Sequence, residues 1–418
     1  MSSADTLGQS ITLSGGAVLK NRFAKSAMSE TMGTVDNHVT EELIRLYERW
    51  ARGGAGLLIT GNVMVDAQQI GEPHNVAVED ERDLELLQRW ASGVTSQGGH
   101  IWMQLNHPGK QIPKMLATGD TLSPSAVPFA PELASYFKTP RAMSEAEIQD
   151  VIQRFARTAT IAQKAGFTGV QIHGAHGYLV SQFLSGHHNQ RTDQWGGSLE
   201  NRMRFPLEVY RAVRASVGAD FPVSIKLNSA DFQRGGFSED ESMTVAETLA
   251  AEGLDLLEIS GGTYEKPAMA GQGVRESTRQ REAYFLDYAE QVRARVSVPL
   301  MVTGGFRSAE GMAAAVDSGA TDIVGLARPL ALEPDLPARV FAGENPTSSV
   351  EPRLTGIKAI DRMAMMEVLW FARQLHRMGK GKDPVRDESV LMAFIRSMMT
   401  MAFRSTRTRR MKLRANTG

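Results

Sequence analysis

Eight short apolar segments alternate with longer amphipathic segments along residues 10–345, and this alternation limits the possible folds more than any other feature. The apolar segments are predicted strands: Phe23–Met28, Gly56–Val63, His100–Asn106, Gly169–His173, Pro222–Asn228, Leu254–Ser260, Pro299–Thr303 and Thr321–Leu326. They are apolar throughout, which is typical of a parallel sheet covered on its outer face. Eight strands, each followed by a helix, predict an α/β fold of the (β/α)8 TIM-barrel type. A doubly wound open sheet is the alternative.

The segments between the strands carry apolar residues at helical spacing. They predict helices over Glu41–Ala51, Arg82–Ser96, Glu145–Ala165, Arg202–Ser216, Ser242–Glu252, Phe285–Arg295, Ala309–Ser318 and Pro334–Phe341. Before the first strand, the residues SITLSGGAVLKNR predict a β-hairpin that closes the bottom of the barrel, with Gly15 and Gly16 in its turn. Residues 107–143 follow the third strand and are rich in Pro, Gly and Ser. We expect them to form a loop over the top face, where barrel enzymes place their active sites.

The chain is predicted to divide into a barrel domain, residues 1–348, and a C-terminal extension, residues 349–418. Although the net charge is −1, residues 351–418 contain 15 Lys and Arg against 6 Asp and Glu, a net of +9, which leaves −10 for the rest. Nine of the 21 methionines lie after residue 350. The extension predicts helices over Ile357–Met378 and Ser389–Phe403, with Gly379–Asp387 as a linker.

The favoured interpretation of the extension is that its helices pack on the barrel or on a second subunit, and a homo-oligomer is expected. Contact with an anionic membrane surface is the alternative, because the last helix is basic and contains Met and Phe. A nucleic-acid partner is not expected, since basic clustering alone is non-specific.

The complete absence of cysteine excludes disulfides, thiolate nucleophiles and cysteine-bound iron–sulfur clusters. No apolar run approaches the roughly 20 residues that a membrane span needs, and the N-terminus lacks the pattern of a secretory signal. These features lead us to expect a cytoplasmic protein.

Two histidines and a tyrosine lie within six residues where the fourth predicted strand gives way to a helix: His173, His176 and Tyr178. Two imidazoles and a phenol can hold a substrate carbonyl and deliver a proton beside it. A phenol with a pKa near about 10 is protonated at neutral pH and can act as a general acid. The histidines could instead bind a metal, but the motif contains no carboxylate as a third ligand, so no metal site is predicted.

Small and amide residues end the first three strands. The first strand ends around Ala27, Met28 and Ser29. Small residues at this point allow a planar ring to lie against the backbone, and ordinary packing is the alternative. Asn62 ends the second strand with the same two interpretations. Gln104, near the end of the third, has both a donor and an acceptor, so it can match the edge of a pyrimidine-like ring.

The last strands point to a cation and a phosphate. Lys226 lies in an apolar strand, where its charge needs a partner. It could form a Schiff base, face an anionic cofactor or take part in an internal ion pair. Loops after strands 7 and 8 of a barrel commonly bind phosphate, and here they contain Gly304, Gly305, Gly325 and Arg328. A phosphorylated cofactor or substrate is predicted, without distinguishing FMN from a sugar phosphate or PLP.

The sequence from about residue 10 to 345 resembles the old yellow enzyme family of FMN-dependent ene-reductases. The most specific part is the H-x-x-H-G-Y-L element and the N-x-R-T-D-x-[YW]-G-G-S-x-x-N-R-x-R-F element that follows it. Here these are His173, His176, Gly177, Tyr178 and Leu179, then Asn189, Arg191, Thr192, Asp193, Trp195, Gly196, Gly197, Ser198, Asn201, Arg202, Arg204 and Phe205. The segments LKNRFAKSAM, QLNHPGK, IKLNSADF and VTGGF are also similar to the family.

The resemblance implies noncovalent FMN with NADH or NADPH as reductant. The implied ring contacts are Ala27, Met28, Asn62 and Gln104, with Ser29 nearby and Lys226 at the N1–O2 edge. The implied phosphate ligands are Gly304, Gly305, Gly325 and Arg328. An electron-poor alkene would then be reduced, with His173 and His176 binding its carbonyl oxygen and Tyr178 donating a proton to its α-carbon.

Some positions depart from the family pattern, and other functions remain open. Ser29 stands where one branch has a cysteine, and Thr31 lies near the position of that branch's substrate-capping tyrosine. The alternatives to an ene-reductase are a phosphate-binding aldolase or isomerase of the same fold, and a non-catalytic flavin-binding protein.

Overall fold

Eight parallel strands form a closed barrel in the computed structural model, which describes residues 1–263, 265, 285–351, 353–357 and 365–415. In chain order the barrel strands are β1 (Phe23–Lys25), β2 (Leu57–Met64), β3 (His100–Asn106), β4 (Val170–Gly174), β5 (Val223–Asn228), β6 (Leu256–Ser260), β7 (Leu300–Thr303) and β8 (Ile323–Leu326). The barrel closes where β8 pairs with β1, with Val324 opposite Phe23. The predicted TIM barrel is therefore confirmed, and the open sheet is wrong.

Helices follow the strands and cover the barrel. The described helices are α1 (Ser3–Gly8), α2 (Glu41–Arg52), α3 (Leu84–Thr95), α4 (Pro131–Ala134), α5 (Glu145–Lys164), α6 (Leu179–Leu184), α7 (Leu199–Val217), α8 (Glu239–Ala251), α9 (Leu286–Arg293), α10 (Ala309–Asp317), α11 (Arg328–Leu332), α12 (Leu336–Phe341), α13 (Met365–Gly379) and α14 (Val390–Ala415). None of these is long and apolar enough to cross a membrane.

The predicted hairpin closes the bottom of the barrel. Its strands, Ile11–Thr12 and Val18–Leu19, pair antiparallel. Leu13 and Leu19 are buried against residues that point into the lower interior, among them Trp102 of β3. Because side chains fill this end, we expect a ligand to enter the barrel from the opposite end, where the strands terminate.

The pairing of β2 with β3 is interrupted between Ile59 and Asn62. Gly61 occupies this irregularity, and a Cβ there would collide with the carbonyl oxygen of Met28 and the carboxylate of Glu30. An irregularity of this kind re-aims the side chains that follow it. Here it determines the direction of Asn62 at the top of the barrel.

Several element boundaries differ from the predictions. The first strand ends at Lys25 rather than Met28, because the backbone leaves the ladder after Ser26 donates its N–H to Leu326. α8 begins at Glu239 rather than Ser242, since Ser238 and Glu241 form a capping box. α7 likewise begins three residues early, at Leu199, after the N-cap Ser198.

Residues 107–143 fold over the top face instead of forming an irregular loop. They contain a small parallel pairing between Leu122–Ser123 and Arg141–Ala142, as well as α4. Gln111 donates its side-chain amide to the carbonyl of His176 at 2.9 Å. This contact holds the segment against the loop that follows β4. The segment therefore lies over the top face of the barrel, where it was predicted.

The two C-terminal helices lie beside α2 and the loop after β1. Part of the predicted helix over Ile357–Met378, residues 358–364, falls outside the described residues, and α13 is described from Met365 to Gly379. α14 continues to Ala415, beyond the predicted end at Phe403, because its Arg-rich end favours helix. Arg45 of α2 donates to the carbonyl of Gly379 at 3.0 Å, and this contact joins α13 to the barrel.

Candidate active site at the carboxyl ends of the strands

The end of β4 brings the two predicted histidines and the tyrosine together. His173 is the fourth residue of β4, in register with Lys226 of β5. The backbone then turns sharply, because His176 and Gly177 both have positive φ, 62° and 75°. Positive φ is uncommon for a residue with a side chain. The turn ends at Tyr178, the N-cap residue of α6.

The three rings pack edge to face in one cluster. The ring centroid of His173 lies 5.1 Å from that of His176 and 4.8 Å from that of Tyr178. Nε2 of His176 lies 2.8 Å from the hydroxyl of Ser260 at the end of β6. Nδ1 of His173 accepts the backbone N–H of Ala175 at 3.4 Å, so the proton of a neutral His173 ring belongs on Nε2.

Burial keeps both imidazoles neutral. It lowers the pKa of His173 well below its usual value, and repulsion from His176, when that ring is protonated, and from Lys226 lowers it further. Burial, followed by the charge of Lys226, lowers the pKa of His176 to about 3. Neutral imidazoles at neutral pH can each donate one hydrogen bond without carrying a charge.

We predict that these histidines make the fold sensitive to acid. An unfolded histidine binds a proton below about pH 6.5, whereas His176 in the folded chain does so only near pH 3. The contribution of such a histidine to the free energy of unfolding is therefore complete above about pH 6.5. It falls by about 1.4 kcal/mol per pH unit as the pH drops from there toward the pKa of the folded state. Urea unfolding between about pH 7 and pH 5 should give a shallower pH dependence for His176→Asn, by about that amount. Equal slopes for the variant and the parent would contradict the prediction.

A buried polar network crosses the interior beneath this cluster. Nζ of Lys226 lies 3.0 Å from the carboxylate of Glu258, which also accepts from Gln171 at 2.7 Å and from the hydroxyl of Thr303 at 2.7 Å. Gln171 in turn accepts the side-chain amide of Gln104 at 2.8 Å. Of the alternatives for Lys226, the structure contains the internal ion pair. The network fixes the lysine and both amides in the barrel wall.

The residues predicted to contact a ring after β1 and β2 lie at the same end. Ala27 and Met28 pack partly buried against the hydrophobic core. The hydroxyl of Ser29 bonds the carboxyl group of Glu72, and burial raises the pKa of Glu72. Asn62, in β2, is buried, and its side-chain oxygen lies 3.5 Å from the amide nitrogen of Asn75 in the loop that follows β2. Sequence reasoning did not include Glu72.

The predicted phosphate corner has the expected backbone. Gly304 and Gly305 directly follow β7 with φ of 118° and 88°, a conformation that glycine adopts without strain. Gly325 lies within β8, where a Cβ would collide with the hydroxyls of Thr303 and Ser26, so packing alone requires glycine there. Arg328 begins α11 and pairs with Glu367 of α13 at 3.0 Å. No sequence pattern indicates this last contact.

Comparison with known proteins identifies the family. A profile of the NADH:flavin oxidoreductase / NADH oxidase family matches residues 9–346. This chain belongs to that family. It is 38% identical over 352 residues to the NADH-dependent flavin oxidoreductase iliE of Hypocrea jecorina (strain QM6a), covering 79% of this chain and 88% of the relative.

Two solved structures support this family assignment. The old yellow enzyme homologue from Zymomonas mobilis superposes with a TM-score of 0.70 at 25% identity, covering 82% of this chain and 94% of that one. Morphinone reductase in complex with tetrahydroNAD gives 0.68 at 27% identity, covering 83% and 92%. The predicted resemblance, FMN cofactor and NAD(P)H reductant are confirmed at the level of this flavin oxidoreductase family. The assignment favours an oxidoreductase over the aldolase or isomerase alternative.

The site residues have the chemistry that FMN requires. Gln104 donates to Gln171 and retains a carbonyl oxygen for the edge of a flavin ring. Lys226 supplies a cation whose place is fixed by Glu258. The paired glycines after β7 provide backbone conformations suited to a phosphate. Of these groups, sequence reasoning missed Glu258, although an acid within the apolar segment LLEIS is a usable signal.

A second polar cluster lies under the loops and resembles a metal site only in composition. His187, His188 and Glu265 present ligand atoms within 4.8 Å of one another. Nζ of Lys110 lies 3.1 Å from Nδ1 of His188 and 3.9 Å from the carboxylate of Glu265. Because an ammonium already occupies this position, a metal cation would be repelled. The cluster joins the loops that follow β3, β4 and β6.

Proposed function

We propose that this flavin oxidoreductase is an ene-reductase: it uses NADH or NADPH to reduce the C=C bond of an α,β-unsaturated carbonyl or similar electron-poor alkene. The observation that carries this proposal is the cluster of His173, His176 and Tyr178 at the end of β4. Two neutral donors beside one phenol match a substrate that needs its carbonyl polarised and an adjacent carbon protonated.

His173 and His176 would bind the substrate oxygen. With Nδ1 of His173 occupied by the backbone of Ala175, its Nε2–H is the proton available for a hydrogen bond. Negative charge develops on the carbonyl oxygen as the β-carbon is reduced, and fixed donors stabilise that charge without reorganising. Because the imidazoles are neutral, they donate a hydrogen bond and do not transfer the proton required by the α-carbon.

Tyr178 would donate that proton. Its ring lies 4.8 Å from that of His173, so a substrate held by the histidine has the phenol beside it. Bound FMN would supply the hydride chemistry between NAD(P)H and the alkene. We propose that the residues that hold FMN are Ala27, Met28, Ser29, Asn62, Gln104, Lys226, Gly304, Gly305, Gly325 and Arg328.

The direct experiment combines cofactor identification with product analysis. The purified protein should have a flavin absorption spectrum and release FMN on heating. Under anaerobic conditions, NADH and 2-cyclohexen-1-one should yield cyclohexanone, with solvent deuterium at the α-carbon when the reaction is run in D2O. If NADH is consumed only when oxygen is present and the alkene stays intact, the ene-reductase proposal fails while the flavin oxidoreductase assignment stands.

Replacing Tyr178 by phenylalanine should lower the rate of 2-cyclohexen-1-one reduction by about 10²–10⁴-fold, the usual contribution of a positioned general acid. Rapid mixing of the NADH-reduced variant with the alkene measures this step. The rate of FMN reduction by NADH is the control and should change little, since that step needs no proton from the phenol. Equal losses in both steps would indicate a structural effect of the substitution.

A further inference from the structure

A cavity of about 320 Å³ lies between the C-terminal helices and the barrel. The loops after β1 and β2 contribute Thr31 and Pro73, and α13 and α14 contribute most of the remaining wall. Arg404 of α14 donates to the carbonyl of Thr31 at 2.8 Å, and His376 of α13 lies 2.9 Å from the carbonyl of Glu30. These contacts place the cavity directly beside the loop that leaves β1.

The lining of this cavity is strongly basic. Its cationic side chains are Arg373, Arg377, Lys380, Lys382 and Arg404, and the described lining residues include no acid. Glu388 neutralises Arg373 through its ion pair. Arg377 donates to a backbone carbonyl, that of Asp383, at 2.9 Å, so this contact does not pair it with a carboxylate. The cavity therefore has an excess of positive charge and favours an anionic ligand.

An unpartnered buried hydroxyl in the wall is a second, independent sign of a ligand. Ser397 of α14 is 8% exposed and lines the cavity. Its Oγ has no hydrogen-bond partner within the part of the chain that the structure describes. A buried polar atom without a partner is uncommon in a native protein and calls for an unseen one. A phosphate oxygen would satisfy this hydroxyl and the nearby cations together.

The position relates the cavity to the proposed flavin site. Thr31 is two residues beyond Ser29, a proposed cofactor contact. Because Thr31 lines the cavity and is so close in the chain to Ser29, a ligand with one end over the flavin could extend along this loop into the basic cavity. The reductant of this family, NADH or NADPH, has a nicotinamide ring at one end and phosphates further along.

We infer that this cavity binds phosphate of the nicotinamide dinucleotide, so that the C-terminal extension forms part of the reductant site. The inference rests on the proposed placement of FMN, but not on reduction of an alkene. The chemistry recognised is a phosphate group, either the pyrophosphate common to NADH and NADPH or the 2′-phosphate of NADPH alone. Charge-assisted hydrogen bonds from Arg and Lys suit both.

The test is the triple variant Arg377→Gln/Lys380→Gln/Lys382→Gln in the full-length holoenzyme. Dissociation constants for NADH and NADPH come from rapid anaerobic reduction of FMN, and those for ADP and 2′,5′-ADP from calorimetry. We expect about tenfold weaker binding, the effect of losing roughly 1.4 kcal/mol of phosphate contacts, with little change in the limiting rate of FMN reduction. Ser397→Ala should also weaken the binding of these ligands.

The control is Arg157→Gln/Arg295→Gln, which removes exposed cations of the barrel's outer layer that do not line the cavity. This variant should leave all four dissociation constants unchanged.

Weaker binding of both dinucleotides in the triple variant identifies the pyrophosphate, and an effect on NADPH and 2′,5′-ADP alone identifies the 2′-phosphate. Unchanged constants for all four ligands overturn the inference. Because calorimetry measures the binding of ADP directly, it tests the phosphate site even if neither alkene reduction nor FMN reduction is observed.

Discussion

Replacing Glu258 by leucine should lower the free energy of unfolding by about 3–5 kcal/mol, because it leaves the ammonium of Lys226 buried without its carboxylate. Both side chains are almost completely buried, and Gln171 and Thr303 would also lose their acceptor. Urea unfolding of the FMN-free proteins measures the stability change. The purified variant should also retain less FMN per chain, measured by absorbance, since Lys226 and Gln104 would lose their fixed positions.

The double variant Glu258→Leu/Lys226→Met separates charge from packing. Replacing a whole buried ion pair by apolar residues is often close to neutral, so the double variant should recover much of the lost stability. It should not recover FMN binding, because the cation proposed to face the flavin is gone. If Glu258→Leu loses less than about 1 kcal/mol, the value of an exposed pair, then solvent reaches the pair and the buried-network interpretation is wrong.

Removing both histidines should strongly lower the rate of alkene reduction. Losing one preorganised donor to a developing oxyanion typically costs about 10²–10³ in rate. His173→Ala/His176→Ala should therefore lower kcat/KM for 2-cyclohexen-1-one by at least that factor. Oxygen as acceptor has no carbonyl to polarise, so oxidation of NADH by oxygen should fall far less. Steady-state assays with the two acceptors measure the difference.

The matched control is a histidine at the other end of the barrel. His100 begins β3 and lies 3.0 Å from the carbonyl of Val18 in the hairpin. His100→Asn should leave the ratio of alkene to oxygen activity unchanged. Comparable rates of alkene reduction in the parent and the double-alanine variant would remove the histidines from the proposed mechanism.

The fold was predictable because local signals agreed with the global architecture. Strands apolar on both faces are typical of a covered parallel sheet. In a barrel of such strands all the carboxyl ends meet at one face, so the sequence alone predicts that His173, Gln104 and Lys226 share that face. The predicted element boundaries were wrong where a single hydrogen bond sets them, as at the end of β1, where the N–H of Ser26 donates to Leu326. The start of α8 was a different kind of error, since its capping box of Ser238 and Glu241 is readable in the sequence.

The contacts that could not be predicted join residues far apart in the chain. Nothing local pairs Arg328 with Glu367, or brings His376 to the carbonyl of Glu30. Sequence reasoning correctly required a partner for Lys226, but a choice among distant acids depends on strand register, which is a three-dimensional property. The composition of residues 349–418 indicated a distinct segment, yet it carries no sign that this segment borders the loop after β1.

The pairing of β8 with β1 also has a consequence for how the chain is synthesised. The first and last barrel strands lie near residues 23 and 326, so the cylinder cannot be sealed until almost the whole barrel sequence has left the ribosome. Until then the edges of the incomplete sheet are unpaired, and unpaired edges are templates for aggregation. Closure is also slow, because it depends on contacts between residues that are far apart in the chain. α13 and α14 emerge later still. A nascent chain stalled before β8 should therefore depend strongly on chaperones, whereas one stalled between β8 and α13 should already be able to seal its barrel.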